Sequence, residues 1–365
     1  MPTIQEQIAE IEDEIHRTPY NKSTQHHIGK LKAKLARLKE ESRKKKAGAT
    51  GRAFAVPKEG NATVSFVGFP GVGKSTLLNR LTSAKSEVGE YAFTTLKIIP
   101  GVMEYKGARI QMLDMPGIVR GASRGRGRGR EVISTVRSSD LILIMLDVFE
   151  TNLDLILDEL YESGLRLNEK MPDIVATQRD RGGINVSSTT KLTKMDEEMV
   201  ENVFREWGYI NADIILREDV DEDQVIDWLA GNRVYLSSFV IVNKVDLVTK
   251  EYIKDLKKKL KGWEILPISA KKGTGVEKLK RKIYRTLDFI RVYMKPQGKE
   301  VDYEEPLVLR RGSTIGDVCD SIHRDFREKF RHANVWGKSA KFPGQRVGLG
   351  HTLKDSDVVT VIVQK

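Results

Sequence analysis

The stretch that decides the fold is GFPGVGKST, residues 68–76. It follows the apolar run ATVSFV (62–67) and precedes the amphipathic segment LLNRL (77–81), so a buried strand, a glycine-rich turn and a helix are expected in that order. The turn fits the pattern G-x-x-x-x-G-K-[ST]. Glycines there let backbone N–H groups approach phosphate oxygens, and the helix N-terminus adds positive potential. The pattern predicts a nucleoside triphosphate site.

The phosphate-binding residues expected from this motif are consecutive: Gly68, Phe69, Pro70, Gly71, Val72, Gly73, Lys74, Ser75 and Thr76. Lys74 is expected to reach the outer phosphates and to act in catalysis, while Ser75 offers a hydroxyl to Mg²⁺.

Two further segments are expected to complete the phosphate and metal site. The segment DMPG, 114–117, supplies Asp114 to hold Mg²⁺ and Gly117, whose amide can meet the γ-phosphate. In YAFTTL, 91–96, either Thr94 or Thr95 is expected to cap the metal, with Thr95 preferred. The predicted catalytic residues are therefore Lys74, Thr95 and Gly117, and the predicted metal ligands are Ser75, Thr95 and Asp114.

The base is expected to be read by NKVD, 243–246, and SAK, 269–271. The carboxylate of Asp246 can accept hydrogen bonds from two donors of guanine that adenine does not present as a pair, and a buried acceptor left unpaired discriminates by about 10⁴. The predicted base-site residues are Asn243, Lys244, Asp246, Ser269, Ala270 and Lys271. These motifs favour a GTPase over an ATPase.

The loop after Asp114 carries the sequence IVRGASRGRGRGRE, 118–131. Its glycines leave the backbone free enough for the loop to become ordered when the γ-phosphate is bound and to be released after hydrolysis. Ile118 stands where Ras-like enzymes carry a glutamine that orients water, so slow intrinsic hydrolysis is expected. The loop also contains five arginines: Arg120, Arg124, Arg126, Arg128 and Arg130. Three roles are open for them: contact with RNA, action in cis on the γ-phosphate, or plain solvated charge.

Short Val- and Ile-rich runs alternating with helical segments predict a doubly wound α/β domain with a mostly parallel sheet. The distance from Asp114 to Asn243 is about twice that of one helix-strand-helix step, so an insertion is expected. Within it we predict a hairpin around Gly182 and Gly183, two helices, and the strand ADIILRE (212–218).

The N-terminal segment shows two helical patterns separated by TPYN, 18–21. Its second arm, 22–46, carries ten Lys or Arg residues against two Glu residues, which fits either a solvated helix face or a phosphate-binding arm. The whole chain of 365 residues has a net charge of +11, which favours a polyanionic partner. The single cysteine, Cys319, excludes an intramolecular disulfide and suits a cytoplasmic protein. No membrane span is expected.

With these motifs, the chain resembles the developmentally regulated GTP-binding proteins of the Obg-like group. The resemblance implies a helical hairpin at 1–52, a GTPase domain at 53–166 and 238–290, a small α/β insert at 167–237, and a β-grasp TGS domain at 291–365. It also implies Mg²⁺, association with ribosomes or RNA without DNA specificity, and a stabilising partner protein. Gly71 stands where potassium-activated relatives often carry asparagine, which leaves K⁺ binding open.

In the C-terminal segment, one helix face and two strands fit that TGS domain. The predicted helix face consists of Ile315, Val318, Cys319, Ile322 and Phe326, and the basic candidates for RNA contact are Arg310, Arg311, Lys338, Lys341 and Arg346. The leading hypothesis is a slow GTPase switch that acts on ribosomes or tRNA. The alternative is an RNA-binding scaffold or chaperone whose nucleotide site is mainly structural.

Overall fold

The computed structural model describes residues 2–21, 23–47, 58–82, 99–115 and 129–364, with the backbone alone at 43–47, 99, 129–131 and 324. The chain forms two compact units. One consists of Met1–Ala53 and Gly164–Tyr235, and the other of Phe54–Ser163 and Leu236–Lys365.

The N-terminal segment is a pair of helices, α1 (Ile4–Arg17) and α2 (Gln25–Ala47). Thr3 and Glu6 form a capping box that satisfies free N–H groups at the start of α1. The apolar residues that recur at helical spacing form a shared core: Ile4, Ile8, Ile11, Ile15, Leu31, Leu35 and Leu38. The predicted helical hairpin is confirmed.

The next segment builds the first half of the central α/β domain. Its elements are β1 (Ala62–Gly68), α3 (Lys74–Leu81), β2 (Ile99–Tyr105), β3 (Ala108–Asp114), α4 (Gly129–Arg137), β4 (Leu141–Asp147) and α5 (Leu153–Glu162). Every residue of β1 and β4 is buried, as expected for central strands covered on both faces. Sequence analysis missed β2, which pairs antiparallel with β3 at the edge of the sheet.

The inserted segment is a small α/β subdomain. It is preceded by β5 (Leu165–Leu167), which pairs with the later strand β9 (Val234–Asn243). Its own elements are β6 (Ile174–Gln178), β7 (Ile184–Ser188), α6 (Glu197–Glu206), β8 (Ala212–Leu216) and α7 (Glu222–Ala230). The predicted β-hairpin around Gly182 and Gly183 is wrong, because the strand order is β6-β8-β7. The more apolar β8 takes the centre, while the polar strands β6 and β7 take the edges, where side chains meet water.

Helix α2 packs on this inserted subdomain within the same compact unit. Ala33 belongs to the core formed by α6, α7 and β8, and a Cβ at Gly29 would lie 3.2 Å from Met199 Cε. Lys32 Nζ bonds to Glu222 Oε1 at 2.8 Å and lies 3.2 Å from Asp223 Oδ2. Part of the basic charge of α2 is therefore neutralised by the insert, whereas Lys30 and Lys34 are exposed.

The second half of the central domain completes its sheet. Its elements are β9 (Val234–Asn243), a 3₁₀ turn (Val245–Leu247), α8 (Lys250–Lys259), β10 (Ile265–Pro267) and α9 (Val276–Thr286). The strand order is β10-β9-β4-β1-β3-β2, and all neighbours except β3 and β2 run parallel. This order confirms the predicted doubly wound fold. It brings the carboxyl ends of the parallel strands β1, β3, β9 and β10 to the same side of the sheet.

The C-terminal domain is a mixed sheet with two short helices. Its elements are β11 (Phe289–Met294), β12 (Leu307–Arg310), α10 (Ile315–Ile322), α11 (Arg324–Glu328), β13 (Phe330–Trp336), β14 (Gln345–Val347) and β15 (Asp357–Val363). The strand order is β12-β11-β15-β13-β14, with β11 and β15 parallel. Cys319 is buried and burial raises the pKa of its thiol, whereas Ile322, predicted on the apolar face, is 40% exposed.

Strand β12 joins the C-terminal domain to the central domain. Val308 belongs to the central core, its carbonyl accepts a hydrogen bond from Asn61 Nδ2 at 3.1 Å, and Arg310 pairs with Asp140 at 2.6 Å. Since Arg311 pairs with Asp288, two of the five basic residues considered for RNA contact are engaged within the protein.

Among the described residues, no helix combines the length and apolar character needed to cross a bilayer.

Candidate functional site

The glycine-rich turn after β1 has the backbone that its sequence predicts. Gly73 caps the N-terminus of α3 with φ +97°, and Gly71 has φ +80°, a region that side chains with a Cβ rarely adopt. At Gly68 the restriction is packing, because a Cβ would lie 2.2 Å from the carbonyl oxygen of Met145 on β4. Backbone amides can therefore line this turn without side chains covering them.

Lys74 lies at the start of α3 with its side chain folded back over the turn. Its Nζ donates to the carbonyl oxygens of Gly68 at 3.1 Å and Phe69 at 2.9 Å. Burial lowers the pKa of Lys74, and the nearby Asp114 carboxylate opposes this shift. An ammonium group is thus held where the motif requires a phosphate contact.

Ser75 and Asp114 meet at the same edge, because β1 and β3 are parallel with Phe66 opposite Asp114. The hydroxyl of Ser75 donates to Asp114 Oδ2. One hydroxyl and one carboxylate form a pair of hard oxygen donors, which fits Mg²⁺ better than a soft metal. The two predicted ligands that the structure describes are therefore in contact.

The remaining residues of the turn differ in burial. Val72 is buried and Phe69 half-buried, while the exposed residues are Pro70, Gly71, Ser75 and Thr76. Exposure of the turn beside the buried Lys74 leaves one open side for a ligand.

Asn243 connects the phosphate-binding turn with the base-reading segments. Its side chain, 4% exposed, donates from Nδ2 to the carbonyl oxygen of Val72 at 2.9 Å, and its Oδ1 accepts from the Ala270 amide at 2.9 Å. The amide of Ala270, a residue predicted to contact the base, is therefore bonded to Asn243. A buried amide with both ends bonded fixes two loops against each other.

Asp246 follows Asn243 in the short 3₁₀ turn, and its side chain is 12% exposed. A hydrogen bond from the Ser269 side chain holds the pKa of Asp246 below its ordinary value, desolvation opposes it, and Lys272 and Lys271 reinforce it. Lys272 Nζ lies 3.8 Å from Asp246 Oδ2. The carboxylate is therefore kept ionised, as an acceptor of two hydrogen bonds must be.

Lys244 adopts a left-handed backbone with φ +62°, and its ammonium group bonds to Asp147 at the end of β4. Burial would raise the pKa of Asp147, but the bond from Lys244 and those from the amides of Phe149 and Glu150 lower it. Sequence analysis missed Asp147. Its position directly after the buried run LILIML, 141–146, was a signal that could have identified it.

Several predicted site residues lie outside the described residues, so their predictions stay predictions. They are Thr94, Thr95, Gly117, Ile118 and the arginines at 120, 124, 126 and 128; of Arg130 only the backbone is described. All predicted residues of the glycine-rich turn, NKVD and SAK that the structure describes converge on one edge of the sheet.

Three family models match the chain in succession. They are a 50S ribosome-binding GTPase over residues 63–178, the C-terminal region of the MMR_HSR1 domain over 181–289, and a TGS domain over 290–363. The developmentally-regulated G-protein 3 of Arabidopsis thaliana is 45% identical, with 99% of each chain covered. The developmentally-regulated GTP-binding protein 2 of Homo sapiens is 41% identical, with 98% of this chain and 99% of the relative covered.

The chain belongs to the developmentally regulated GTP-binding protein family. A GTP-binding protein of Methanocaldococcus jannaschii is also 54% identical, over 99% of this chain and 93% of the relative. Membership in the family agrees with the resemblance stated from the motifs. This family member is a GTP-binding protein with a P-loop GTPase domain and a C-terminal TGS domain.

Proposed function

We propose that this family member is a Mg²⁺-dependent GTPase with a low intrinsic rate, whose GTP and GDP states control its binding to the ribosome or to tRNA in the cytoplasm. The observation that carries the proposal is the pair of hydrogen bonds that the Asn243 side chain makes to the backbone of Val72 and of Ala270. Through it, the residues suited to phosphates and those suited to a guanine base form one site.

Recognition of guanine rests on Asp246. Its two oxygens can accept from the ring N–H and the exocyclic amine of guanine, and desolvation by a bound base makes an unpaired carboxylate costly. Ser269 and the neighbouring lysines favour its ionised form. This supports GTP and GDP as ligands rather than ATP.

Metal binding rests on Ser75 and Asp114, which are in contact, with Thr95 as the third proposed ligand. When bound, Mg²⁺ would neutralise charge on the outer phosphates during hydrolysis. Lys74 would add a second positive charge there. The Gly117 amide is proposed to meet the γ-phosphate.

The low rate rests on Ile118. An aliphatic side chain cannot accept or donate a hydrogen bond, so it cannot orient the attacking water as a glutamine does. We propose that a backbone group, a bound cation or a partner supplies that orientation, and that the glycine-rich loop after Gly117 changes order between the GTP and GDP states.

RNA as the partner is supported by charge and by aromatic side chains on the C-terminal sheet. Tyr293 and Trp336 both flank Val358 in neighbouring strands, and Lys295 Nζ lies 5.3 Å from the centre of the Trp336 ring. Three further basic residues on this domain are exposed: Lys338, Lys341 and Arg346. Aromatic rings beside cations suit unpaired bases and phosphates, and the family model of the GTPase domain is described as 50S ribosome-binding.

Co-sedimentation with ribosomes tests the proposal. The full chain is compared with a non-hydrolysable GTP analogue, with GDP and without nucleotide, at several salt concentrations because phosphate contacts weaken with salt. We expect the GTP analogue to increase ribosome binding at least about fivefold over GDP. Equal binding in all three states would refute the switch.

Nucleotide titration and Lys74→Ala distinguish the alternative of an RNA-binding scaffold. Equal affinity for GTP and ATP would refute the guanine site. A scaffold should keep RNA binding and cellular activity after Lys74→Ala abolishes turnover, whereas a switch should lose its nucleotide-dependent binding.

A further inference from the structure

Arg80 ties the phosphate-binding helix to the base-reading loop. It lies in the last turn of α3, whose first residue is Lys74. Its guanidinium donates from Nε to the carbonyl oxygen of Ala270 at 3.3 Å and from Nη2 to that of Lys271 at 2.7 Å. Neither the phosphate motif nor the base motif includes this arginine.

The loop that Arg80 contacts depends on side chains for its position. Gly273 and Gly275 have φ of +81° and +79°. Because glycine has no Cβ, these two residues restrict the backbone of the loop less than other residues would. The guanidinium also packs beside the loop, since a Cβ at Gly273 would lie 3.5 Å from Arg80 Nη2. A planar guanidinium that bonds two successive carbonyls fixes both distance and orientation.

Two side chains therefore join the phosphate and base segments at different places. Asn243 joins Val72 to the amide side of Ala270, and Arg80 joins the end of α3 to the carbonyl side of Ala270 and Lys271. Ser269 also holds the start of the loop through its side-chain bond to Asp246 and its backbone bond to Thr274, but neither bond fixes the carbonyls of Ala270 and Lys271. Arg80 is the side chain that bonds both of these carbonyls.

We propose that Arg80 is a positioning residue for guanine recognition, which presents the backbone of the SAK loop to the base. The inference rests on the proposed GTP site and names a further determinant of its specificity. Because the Ala270 amide bonds to Asn243, the proposed contact with the O6 carbonyl is assigned to the backbone around Lys271, whose carbonyl Arg80 holds. Asp246 is proposed to act on the N1–H and 2-amino groups.

This division predicts a nucleotide pattern. Inosine triphosphate keeps the O6 carbonyl and N1–H of guanine but lacks the 2-amino group, and adenine lacks the O6 carbonyl. Loss of Arg80 should therefore weaken GTP and ITP by the same factor and should affect ATP less. Loss of the Asp246 carboxylate should change the ratio of GTP to ITP affinity.

The experiment measures dissociation constants of GTP, ITP and ATP by titration for wild type, Arg80→Ala, Arg80→Lys and Asp246→Asn. Arg281→Ala is the matched control, because Arg281 is an exposed arginine on α9 outside the site. We expect Arg80→Ala to weaken GTP and ITP about tenfold each. Arg80→Lys should weaken them about threefold, because its ammonium group lacks the planar fork that fixes the orientation of both bonds. Steady-state kinetics should show a higher KM with kcat unchanged.

Unchanged GTP affinity in Arg80→Ala, or a loss for GTP that exceeds the loss for ITP, would overturn the inference. If Arg80→Ala fails to fold, judged by its thermal transition without nucleotide, Arg80→Lys decides by the same two criteria. Failure of the proposed function is distinguishable, because wild type would then bind GTP and ATP equally.

Discussion

A substitution of Gly73 tests whether Asn243 holds the nucleotide site together. Gly73 and Gly71 both have positive φ, so alanine at either position should cost about 1–3 kcal/mol of backbone strain. The two positions differ in the free space around an added Cβ. A Cβ at Gly73 would lie 2.5 Å from Asn243 Nδ2, whereas a Cβ at Gly71 meets nothing within 4 Å. Gly71→Ala is therefore the matched control for strain.

The extra cost at Gly73 follows from the bonds of Asn243. To move away from the new methyl group, Asn243 must release Val72, Ala270 or both, which leaves buried polar groups unpaired at about 1–3 kcal/mol each. We expect Gly73→Ala to weaken GTP binding about 10- to 100-fold more than Gly71→Ala does. Isothermal titration with GTP and with GDP measures this difference.

The double variant Gly73→Ala with Asn243→Ala completes the cycle. Once Asn243 is truncated, the next atom near the new Cβ is Met145 Cε at 3.8 Å, so the clash disappears. The double variant should lose about 1–2 kcal/mol less than the sum of the single losses. Additive losses, within about 0.3 kcal/mol, would refute the assignment of Asn243 as the shared support.

Three further outcomes are expected. Asp355→Asn should lower the free energy of unfolding by about 1 kcal/mol at pH 7, because Arg291 holds the pKa of Asp355 at about 2 rather than 3.8 and the side chain is 43% exposed. Urea unfolding should show this difference shrinking as pH falls from about 4 to 2; a difference independent of pH would contradict it. Ile118→Gln alone should leave the GTPase rate nearly unchanged, because we propose that a backbone group, a bound cation or a partner orients the water in place of a side chain; a rise of about a hundredfold, or about 2.7 kcal/mol of barrier, would show that water orientation by the side chain alone is limiting. Gly71→Asn, with open space and a φ that asparagine tolerates, should raise the rate severalfold in KCl over NaCl if a side-chain ligand limits K⁺ binding, and equal rates in both salts would exclude that explanation.

The sequence predicts the strands of the central sheet where burial leaves a continuous apolar run. Residues 141–146 of β4 are all apolar because both faces of the sheet are covered. Strand β2 was not predicted because Pro100 and Gly101 interrupt its apolar pattern. Both residues are tolerated in a strand at the edge of a sheet. The turn Lys106–Gly107, with φ of +52° and +81°, fits a tight hairpin turn and could have signalled the antiparallel pair.

Contacts between distant segments account for what sequence reasoning did not predict. Arg80 and Lys271, or Lys244 and Asp147, are far apart along the chain, and no local spacing encodes their bonds. The packing of α2 on the insert likewise depends on small residues, Gly29 and Ala33, which carry little periodic signal. Motifs predict which residues bind a ligand better than they predict which residues hold the motifs in register.

The attachment of α2 to the insert has a consequence for biosynthesis. At about 5–20 residues per second, the segment that covers Gly29 and Ala33 leaves the ribosome on the order of ten seconds after α2 does. During that delay the nascent helix exposes the surface that later contacts Met199, so early protection by a chaperone would benefit this chain. Deletion of the first helices would leave the newborn insert with an uncovered apolar face, and such a truncated protein should aggregate rather than accumulate.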